Sequence, residues 1–378
     1  MNKQLGNVSN KLNMSIILGG YLSEKRATEA KLGEKPRIDC LELASRLNVP
    51  LFDLHWLEKQ IRKHSLLDRA MKIYKNKSNW LALKVFLTLD DTDVVFSAGE
   101  DTGIPLAILL RLTRKKRPRI IMRLEQPTYG RTPWRSRIYR AYYRLAMPRI
   151  DLTLCRTHSH IKLLKSWGAR EEQIVFIPET IDPIFFDLER NAPRHDSFQL
   201  PPQPFILSAG LEMRDYDTLI KAVEGLPYHV IIAAGSPWSK FSFDRSESTI
   251  PKNIIVSTFT QLQMRELYRF AECIVVPVMP TMRACGMNVV LEAWAMQKPV
   301  IASRTDGLTS YIEDGQTGLF YEPLNVEDLR AKIQYTLGNP EEARDWGKNG
   351  WQRIQTEFNL DCYLNEIVNA AKVLTSVP

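Results

Sequence analysis

The 378-residue sequence predicts two doubly wound α/β domains, each a parallel sheet flanked by helices. Three observations predict it. The length fits two domains of ordinary size, short apolar runs alternate with longer amphipathic ones, and a proline-rich break interrupts the alternation before it restarts. Hydrophobic residues make up 44% of the chain and charged residues 25%, the balance of a globular protein rather than a disordered or membrane-spanning one.

In the first half, Met14–Leu18 runs into Gly19-Gly20 as a strand runs into a tight loop. Asp93–Ser97, Arg119–Met122, Leu152–Cys155 and Ile174–Ile177 are the further expected strands. Helices are expected between them, over Asp39–Asn48, His55–His64, Ile104–Leu112, Ser136–Ala146 and Ser159–Trp167. Alternation of this kind implies a parallel sheet with right-handed crossovers. Residues 187–204 then hold four prolines and no periodic apolar face. A linker is assigned to 191–204, between a first domain at 1–190 and a second at 205–358.

Alternation restarts with strands at Phe205–Ser208, Tyr228–Ala233, Ile254–Val256, Cys273–Val276 and Val300–Ala302. The helices expected there are Tyr216–Val223, Leu262–Ala271, Val289–Met296, Val326–Leu337 and Glu341–Phe358. A last helix, about 359–378, is expected to pack back on the first domain. Ligands of such an architecture belong at the carboxyl ends of the strands, in a central cleft.

Charge narrows the partners. Lys plus Arg is 51 and Asp plus Glu 43, a net charge of +8 that invites an anionic partner. Between Arg111 and Arg149 stand 13 basic residues against one acidic residue, Glu125. The segment TPWRSRIYRAYYRLAM interleaves arginines with Trp134, Ile138, Tyr139, Tyr142, Tyr143 and Leu145. Such a helix suits an anionic membrane surface, or else is a solvated basic helix whose apolar stripe packs on its own domain. No recognition motif accompanies the charge, so no nucleic-acid partner is expected.

Five scattered cysteines without a C-x-x-C pair suggest reduced thiols, the start MNKQLGNVSNKLN is polar, and no apolar run approaches spanning length. A cytoplasmic protein, with at most peripheral attachment to the inner face of the membrane, is expected. His158 and His160 form H-x-H without acidic or Cys ligands nearby, and no metal site is assigned. No G-x-x-x-x-G-K-[ST] loop, G-x-S-x-G elbow or G-x-G-x-x-G fingerprint occurs.

The segment Val276–Tyr321 carries the chemistry. A strand is followed by the loop MPTMRACG, the helix MNVVLEAWAM, then KPVIAS. Gly286 stands just before the helix, where the backbone N–H groups of Met287 and Asn288 can face an anion such as a diphosphate. Glu292 sits among Val290, Leu291, Ala293 and Trp294. Buried there it needs a donor such as a ribose diol; on the solvent side it needs none.

The run GMNVVLEAWAMQKPVIASRTDGLTSYIEDGQTGLFYEPLNVEDL resembles the donor-binding segment of family 4 glycosyltransferases. These are retaining enzymes of the GT-B fold, in which two Rossmann-like domains face a cleft. FILSAGLEMRDYDTLIKAV, ELYRFAECIVVPV and IVFIPETIDPIFF resemble further segments of that family, and the likeness covers most of residues 150–356. It implies metal-independent transfer from a nucleotide-sugar donor to the hydroxyl of a lipid, glycan or small natural product. The nucleotide-sugar is a co-substrate that leaves a nucleoside diphosphate, and no cofactor is implied.

The same resemblance makes Glu292 the ribose-binding carboxylate and Arg214 the contact to the donor phosphates. It places Gly19, Gly20, Gly286, Met287 and Asn288 around the diphosphate, Gly210 and Val289 elsewhere among the donor-binding residues, and Gly235 near the nucleobase. Three positions depart from the family pattern. Ala284 stands where a first glutamate is usual, Gly210-Leu211-Glu212 replaces G-R-L, and the run RLEQ, with Glu125, replaces a histidine. At the strand ends of the first domain, Glu100, Asp101 and Glu125 are the candidates for acceptor binding or proton acceptance. Asp101 or Thr102 could equally cap the helix that follows. A nucleotide-sugar epimerase on the same fold, or a non-catalytic nucleotide-binding relative, is the alternative.

Overall fold

The computed structural model describes residues 12–61, 69, 71, 74–89, 91–127, 133–187, 199–201, 204–235 and 250–376. Most of the expected linker 191–204 and part of the expected helix His55–His64 lie outside the described residues.

In the first domain the order is β1 (Met14–Ile17), α1 (Glu24–Lys31), α2 (Asp39–Leu47), β2 (Leu51–Phe52), α3 (Leu54–Gln60) and α4 (Lys77–Phe86). It continues β3 (Val94–Ser97), α5 (Glu100–Leu112), β4 (Arg119–Leu124), α6 (Pro133–Ala146), β5 (Leu152–Cys155), α7 (His158–Ser166) and β6 (Ile174–Phe176). The second domain runs β7 (Phe205–Ala209), α8 (Tyr216–Val223), β8 (His229–Ala233), β9 (Ile254–Ser257), α9 (Gln261–Phe270) and β10 (Cys273–Val276). It closes with α10 (Met287–Ala295), β11 (Val300–Ser303), β12 (Leu319–Tyr321), α11 (Val326–Gly338) and α12 (Pro340–Thr356), and α13 (Leu360–Ser376) follows.

Both sheets are six-stranded and parallel, with orders β2-β1-β3-β4-β5-β6 and β12-β11-β10-β7-β8-β9. Their central strands are buried along their whole length, because helices cover both faces. That double burial explains why they read in the sequence as unbroken Val/Ile runs.

Helix starts follow local capping. Asp53 accepts the Trp56 N–H at 2.8 Å, and Thr157 accepts that of His160 at 3.2 Å. Thr260 and Gln263 form a reciprocal capping box on α9. Four elements were not expected from the sequence: α1, α4, β2 and β12. The polar helix α1 buries no residue and so has no apolar period to detect, while β2 has only two residues. Helix α5 begins at Glu100, four residues before its expected start, because Gly99 serves as N-cap and no polar side chain marks the boundary.

Helix α13 packs beneath the first sheet. Leu360, Tyr363, Leu364, Ile367 and Ala371 join Met14, Ile16, Val94, Phe96, Ile121 and Leu154 in one apolar cluster. The chain returns to this domain along a bridge between Ile181 and Asn359. Ile367 has no exposed surface, so Ile367→Ala is expected to cost roughly 2–5 kcal/mol, seen as a lower melting temperature by circular dichroism. An unchanged melting temperature would show that α13 does not belong to the first domain's core.

Candidate functional site

In each sheet the strand order reverses once, between β1 and β3 in the first and between β7 and β10 in the second. At such a switch point the two neighbouring loops diverge and leave a crevice beyond the strand ends. The first crevice lies between Gly19-Gly20 and Gly99–Asp101, the second between Gly210–Arg214 and the segment 277–286.

The second crevice is held by paired backbone. Asp215 donates its N–H to the Pro277 carbonyl at 2.9 Å, and Met279 donates to Met213 at 2.8 Å. Gly210 has φ +93°, in the left-handed region where only glycine is unstrained, and the Arg214 guanidinium lies over it where a Cβ would stand. Arg214 donates Nε to the Ala209 carbonyl at 2.8 Å and Nη1 to that of Glu212 at 2.9 Å. The guanidinium is thereby fixed at the mouth of the crevice.

Glu292 lies opposite, on α10, half-buried. Its Oε2 accepts the Tyr268 hydroxyl at 2.7 Å. Burial pushes its carboxyl up to about 7, against the opposing pull of the Tyr268 hydrogen bond and the Arg214 charge. Its other oxygen accepts no hydrogen bond among the described residues, so one charged acceptor is open to a ligand. Tyr268 is the residue the sequence did not reveal. It is wholly buried, and its partner stands on another helix.

The helix behind Glu292 starts at Gly286, φ +92°, with no side chain capping its first turn. The first N–H groups of α10, those of Met287, Asn288 and Val289, are therefore without a side-chain acceptor. Asn288 is exposed, whereas the Met287 and Val289 side chains are buried, so those two offer backbone only. A side chain at Gly286 would meet Val276, Val278 and Leu308 in the core at 3.0–3.2 Å, rather than crowd a ligand. Gly235 follows β8 and lies beside Thr258, next to residues 236–249, which lie outside the described residues.

In the first crevice the Asp101 carboxylate occupies the space in front of Gly19 and Gly99, so a Cβ on either glycine would collide with it. Asp101 accepts the Ser78 hydroxyl at 2.7 Å and is exposed. A carboxylate against Gly19 repels a diphosphate, which corrects the expectation that Gly19 approaches one; the space beside Gly20 stays open.

Glu100 departs from its expected place facing the cleft. It is only 8% exposed, and its carboxylate accepts the N–H groups of Glu125 at 2.8 Å and Gln126 at 3.1 Å. It braces the end of β4, and burial pushes its carboxyl upward.

Glu125 joins a chain of charges across the strand ends. Arg156 reaches its Oε2 at 2.7 Å, Arg123 its Oε1 at 2.6 Å, and Arg156 also pairs with Glu179. Arg123 pairs in addition with Asp39 and donates to the Tyr363 hydroxyl of α13 at 3.0 Å. The H-x-H histidines part company: His158 stacks on Phe176 with ring centroids 4.6 Å apart, and His160 is fully buried. Burial pushes the His160 imidazole down to about 4, which keeps it neutral.

The two crevices meet. Tyr311 of the second domain donates its hydroxyl to the Arg156 carbonyl and accepts the Glu179 N–H, both at 2.8 Å. Gln126 donates to the Ala284 carbonyl at 3.1 Å and accepts from Arg283 at 3.1 Å. Between the domains lies a cavity of about 380 Å³, whose walls include Arg37, Arg123, Arg156, Gln261, Asn288 and Glu292.

Two measurements check this geometry. A carboxyl held at about 7 when folded and near 4.5 when unfolded favours the protonated form of the fold. Its contribution to stability therefore falls as pH rises from about 4.5 to about 7 and is level above that. Glu292→Gln should flatten this part of the melting profile and raise the melting temperature at pH 8; an unaltered profile would mean that Glu292 is solvated. Gly286→Ala meets both strain and core contacts and should cost about 1–3 kcal/mol in thermal unfolding, without any ligand present.

The family model described as glycosyl transferases group 1 matches residues 194–353. An uncharacterized glycosyltransferase of Methanocaldococcus jannaschii is 29% identical over 148 residues, 38% of this chain and 40% of that protein, so the chain spans well under two thirds of that relative. Among solved structures, a glycosyltransferase from Rickettsia africae ESF-5 is similar with TM-score 0.69 and 16% identity, covering 97% of this chain and 99% of that one. HepE of Anabaena, solved in complex with UDP-glucose, is similar with TM-score 0.64 and 14% identity, covering 95% of this chain and 99% of that one. The chain has the GT-B fold, and its second domain carries the match to the glycosyl transferases group 1 family model.

Proposed function

We propose that the chain is a metal-independent, retaining hexosyltransferase, moving a sugar from a nucleotide-sugar to an acceptor hydroxyl. The observation that carries this is the second crevice. An uncapped helix N-terminus, an immobilised arginine and a half-open carboxylate stand together there, matching the diphosphate and ribose diol of one ligand. The complex of the similar Anabaena protein with UDP-glucose supports a donor of this class.

In this reading Glu292 takes the ribose hydroxyls on its open oxygen. The N–H groups of Met287, Asn288 and Val289, with Arg214, hold the diphosphate and stabilise its charge as it leaves. The bond from the anomeric carbon to the phosphate oxygen breaks as the acceptor oxygen bonds to that carbon from the same face. The acceptor's proton passes to the departing phosphate oxygen. Gly210 and Gly286 shape the crevice, Gly20 leaves room opposite it, and Gly235 borders the base. Asp101 is the first-domain carboxylate open to an acceptor hydroxyl, and Glu125 and Glu100 fix the strand end beside it. The acceptor is a lipid, glycan or small natural product, and an anionic membrane surface on residues 111–149 belongs to the same reading.

Incubation with common nucleotide-sugars is expected to release nucleoside diphosphate; binding without any product would favour a non-catalytic nucleotide-binding protein. Glu292→Gln should weaken nucleotide binding about ten- to a hundredfold by calorimetry, since charge-assisted hydrogen bonds contribute roughly 1.5–3 kcal/mol each. A 2′-deoxy nucleotide should bind the native protein poorly and lose little more in the variant. Because the open site holds a proton up to about pH 7, nucleotide affinity should rise with pH to that point and level off above it, with proton release on binding at pH 6. Affinity indifferent both to Glu292→Gln and to pH would overturn the assignment.

A further inference from the structure

The base of the first domain, at the amino ends of its strands and opposite the cleft, carries a dish of about 560 Å³. Seven basic side chains line it against two acidic ones, Asp93 and Asp151. Arg149 builds its wall. It donates to the carbonyls of Lys115 at 3.1 Å, Lys116 at 2.8 Å and Pro118 at 2.6 Å, and pairs with Asp151 at 3.1 Å. The turn 113–118 is thereby fixed with its side chains outward, all of residues 111–117 being exposed. Arg117 is paired with Asp93 and Arg119 with Asp151, so the two carboxylates of the dish are already neutralised. The side chains of Arg114 and Lys116 have no ion-pair or hydrogen-bond partner among the described residues.

Helix α6 connects this dish to the cleft. In a parallel sheet the crossover after β4 starts at the carboxyl end and returns to the amino end, so Pro133 lies toward the cleft and Ala146 at the base. The helix has two apolar faces. Tyr139, Tyr142 and Tyr143 turn inward onto the first domain's core, and Tyr143 packs against Trp167 with ring centroids 4.9 Å apart. The tyrosines therefore follow the packed-helix alternative for this segment. Trp134, Ile138 and Leu145 point the other way, 58%, 60% and 43% exposed, and their spacing puts all three on one outward stripe. Arg137, Arg140 and Arg144 flank that stripe. Arg111 ties the two features together by donating to the Leu145 carbonyl at 2.5 Å, and the next residue, Leu112, is 71% exposed.

We infer that this flank is a docking surface for an anionic lipid bilayer. The dish takes lipid phosphates, and the stripe from Trp134 to Leu145 and Leu112 enters the headgroup layer. The inference rests on the membrane part of the proposed function and deepens it by fixing which face lies down. Charge complementarity selects the occupant. An apolar line flanked and terminated by cations matches a negatively charged interface, to which each basic residue adds attraction. With α6 along the surface the cleft opens at the edge of the contact, beside Trp134, within reach of an acceptor carried by the membrane.

Vesicle co-sedimentation of the full chain, without any nucleotide, tests this independently of turnover. Vesicles of phosphatidylglycerol and phosphatidylcholine should bind it, pure phosphatidylcholine should not, and binding should fall steeply from low to moderate salt. The double variant Arg114→Glu, Lys116→Glu should bind at least about tenfold more weakly while melting at the native temperature. Ile138→Asp should also weaken binding, with less effect on its salt dependence. No binding to the anionic vesicles, equal binding to the neutral ones, or binding indifferent to the double variant would each overturn the proposal. A melting temperature raised by inorganic pyrophosphate in the native chain but not in the double variant, without vesicle binding, would make the dish a soluble-anion site instead. Self-association abolished by Ile138→Asp, again without vesicle binding, would make the stripe a contact between copies.

Discussion

Parallel pairing makes every strand of a sheet end on the same side, and the rest of this structure depends on that constraint. Loops, glycines and helix N-termini of both domains gather at two strand-end surfaces, and the domains set those surfaces face to face. The order reversals at β1/β3 and β7/β10 then open one crevice in each. Nothing about the site needs a special fold beyond this; its chemistry lies in which side chains stand at the two openings.

The relative placement of the domains rests on a few buried polar contacts. Tyr311 is nearly inaccessible, and its hydroxyl serves a carbonyl and an N–H of the opposite domain at once. Those two groups flank the paired Arg156 and Glu179, so the strut ends on the charge chain that runs through Glu125 and Arg123 to Asp39. Partners on both sides offset the desolvation of these charges. Because Arg123 also reaches Tyr363, the chain ties the C-terminal helix, the first sheet and the domain junction together.

The strands of both sheets other than β2 and β12 were legible in the sequence because strands buried on both faces appear as continuous β-branched runs. The residues that line the second crevice from α10 were legible too, since Gly286 and Glu292 lie within one segment of the sequence. What escaped were contacts between distant parts of the chain. Tyr268 meets Glu292 from a neighbouring helix, and Asp101 meets Gly19 from a different strand end. Glu100 looked like a cleft residue because it follows a strand, yet backbone N–H groups of the next strand's end draw it inward. The arginine–aromatic pattern of α6 showed an amphipathic helix but not that tyrosines and aliphatics take opposite faces. Sequence spacing alone does not tell which of two apolar stripes is covered.

The two crevices differ in charge, and that difference divides the labour of the proposed reaction. The second presents Arg214 and a helix N-terminus, both attractive to a diphosphate. The first presents Asp101 in front of Gly19, which repels one. In the proposed reaction a donor would dock by its phosphates on the second domain and leave the first crevice to a hydroxyl-bearing acceptor. Between them Ala284 supplies only its carbonyl, already accepting from Gln126. Gln126 and Arg283 are hydrogen-bonded to each other there, with Arg283 also 3.2 Å from Glu212. Under the proposed function this amide–guanidinium pair would offer hydrogen-bond donors to the sugar but bring no negative charge to it.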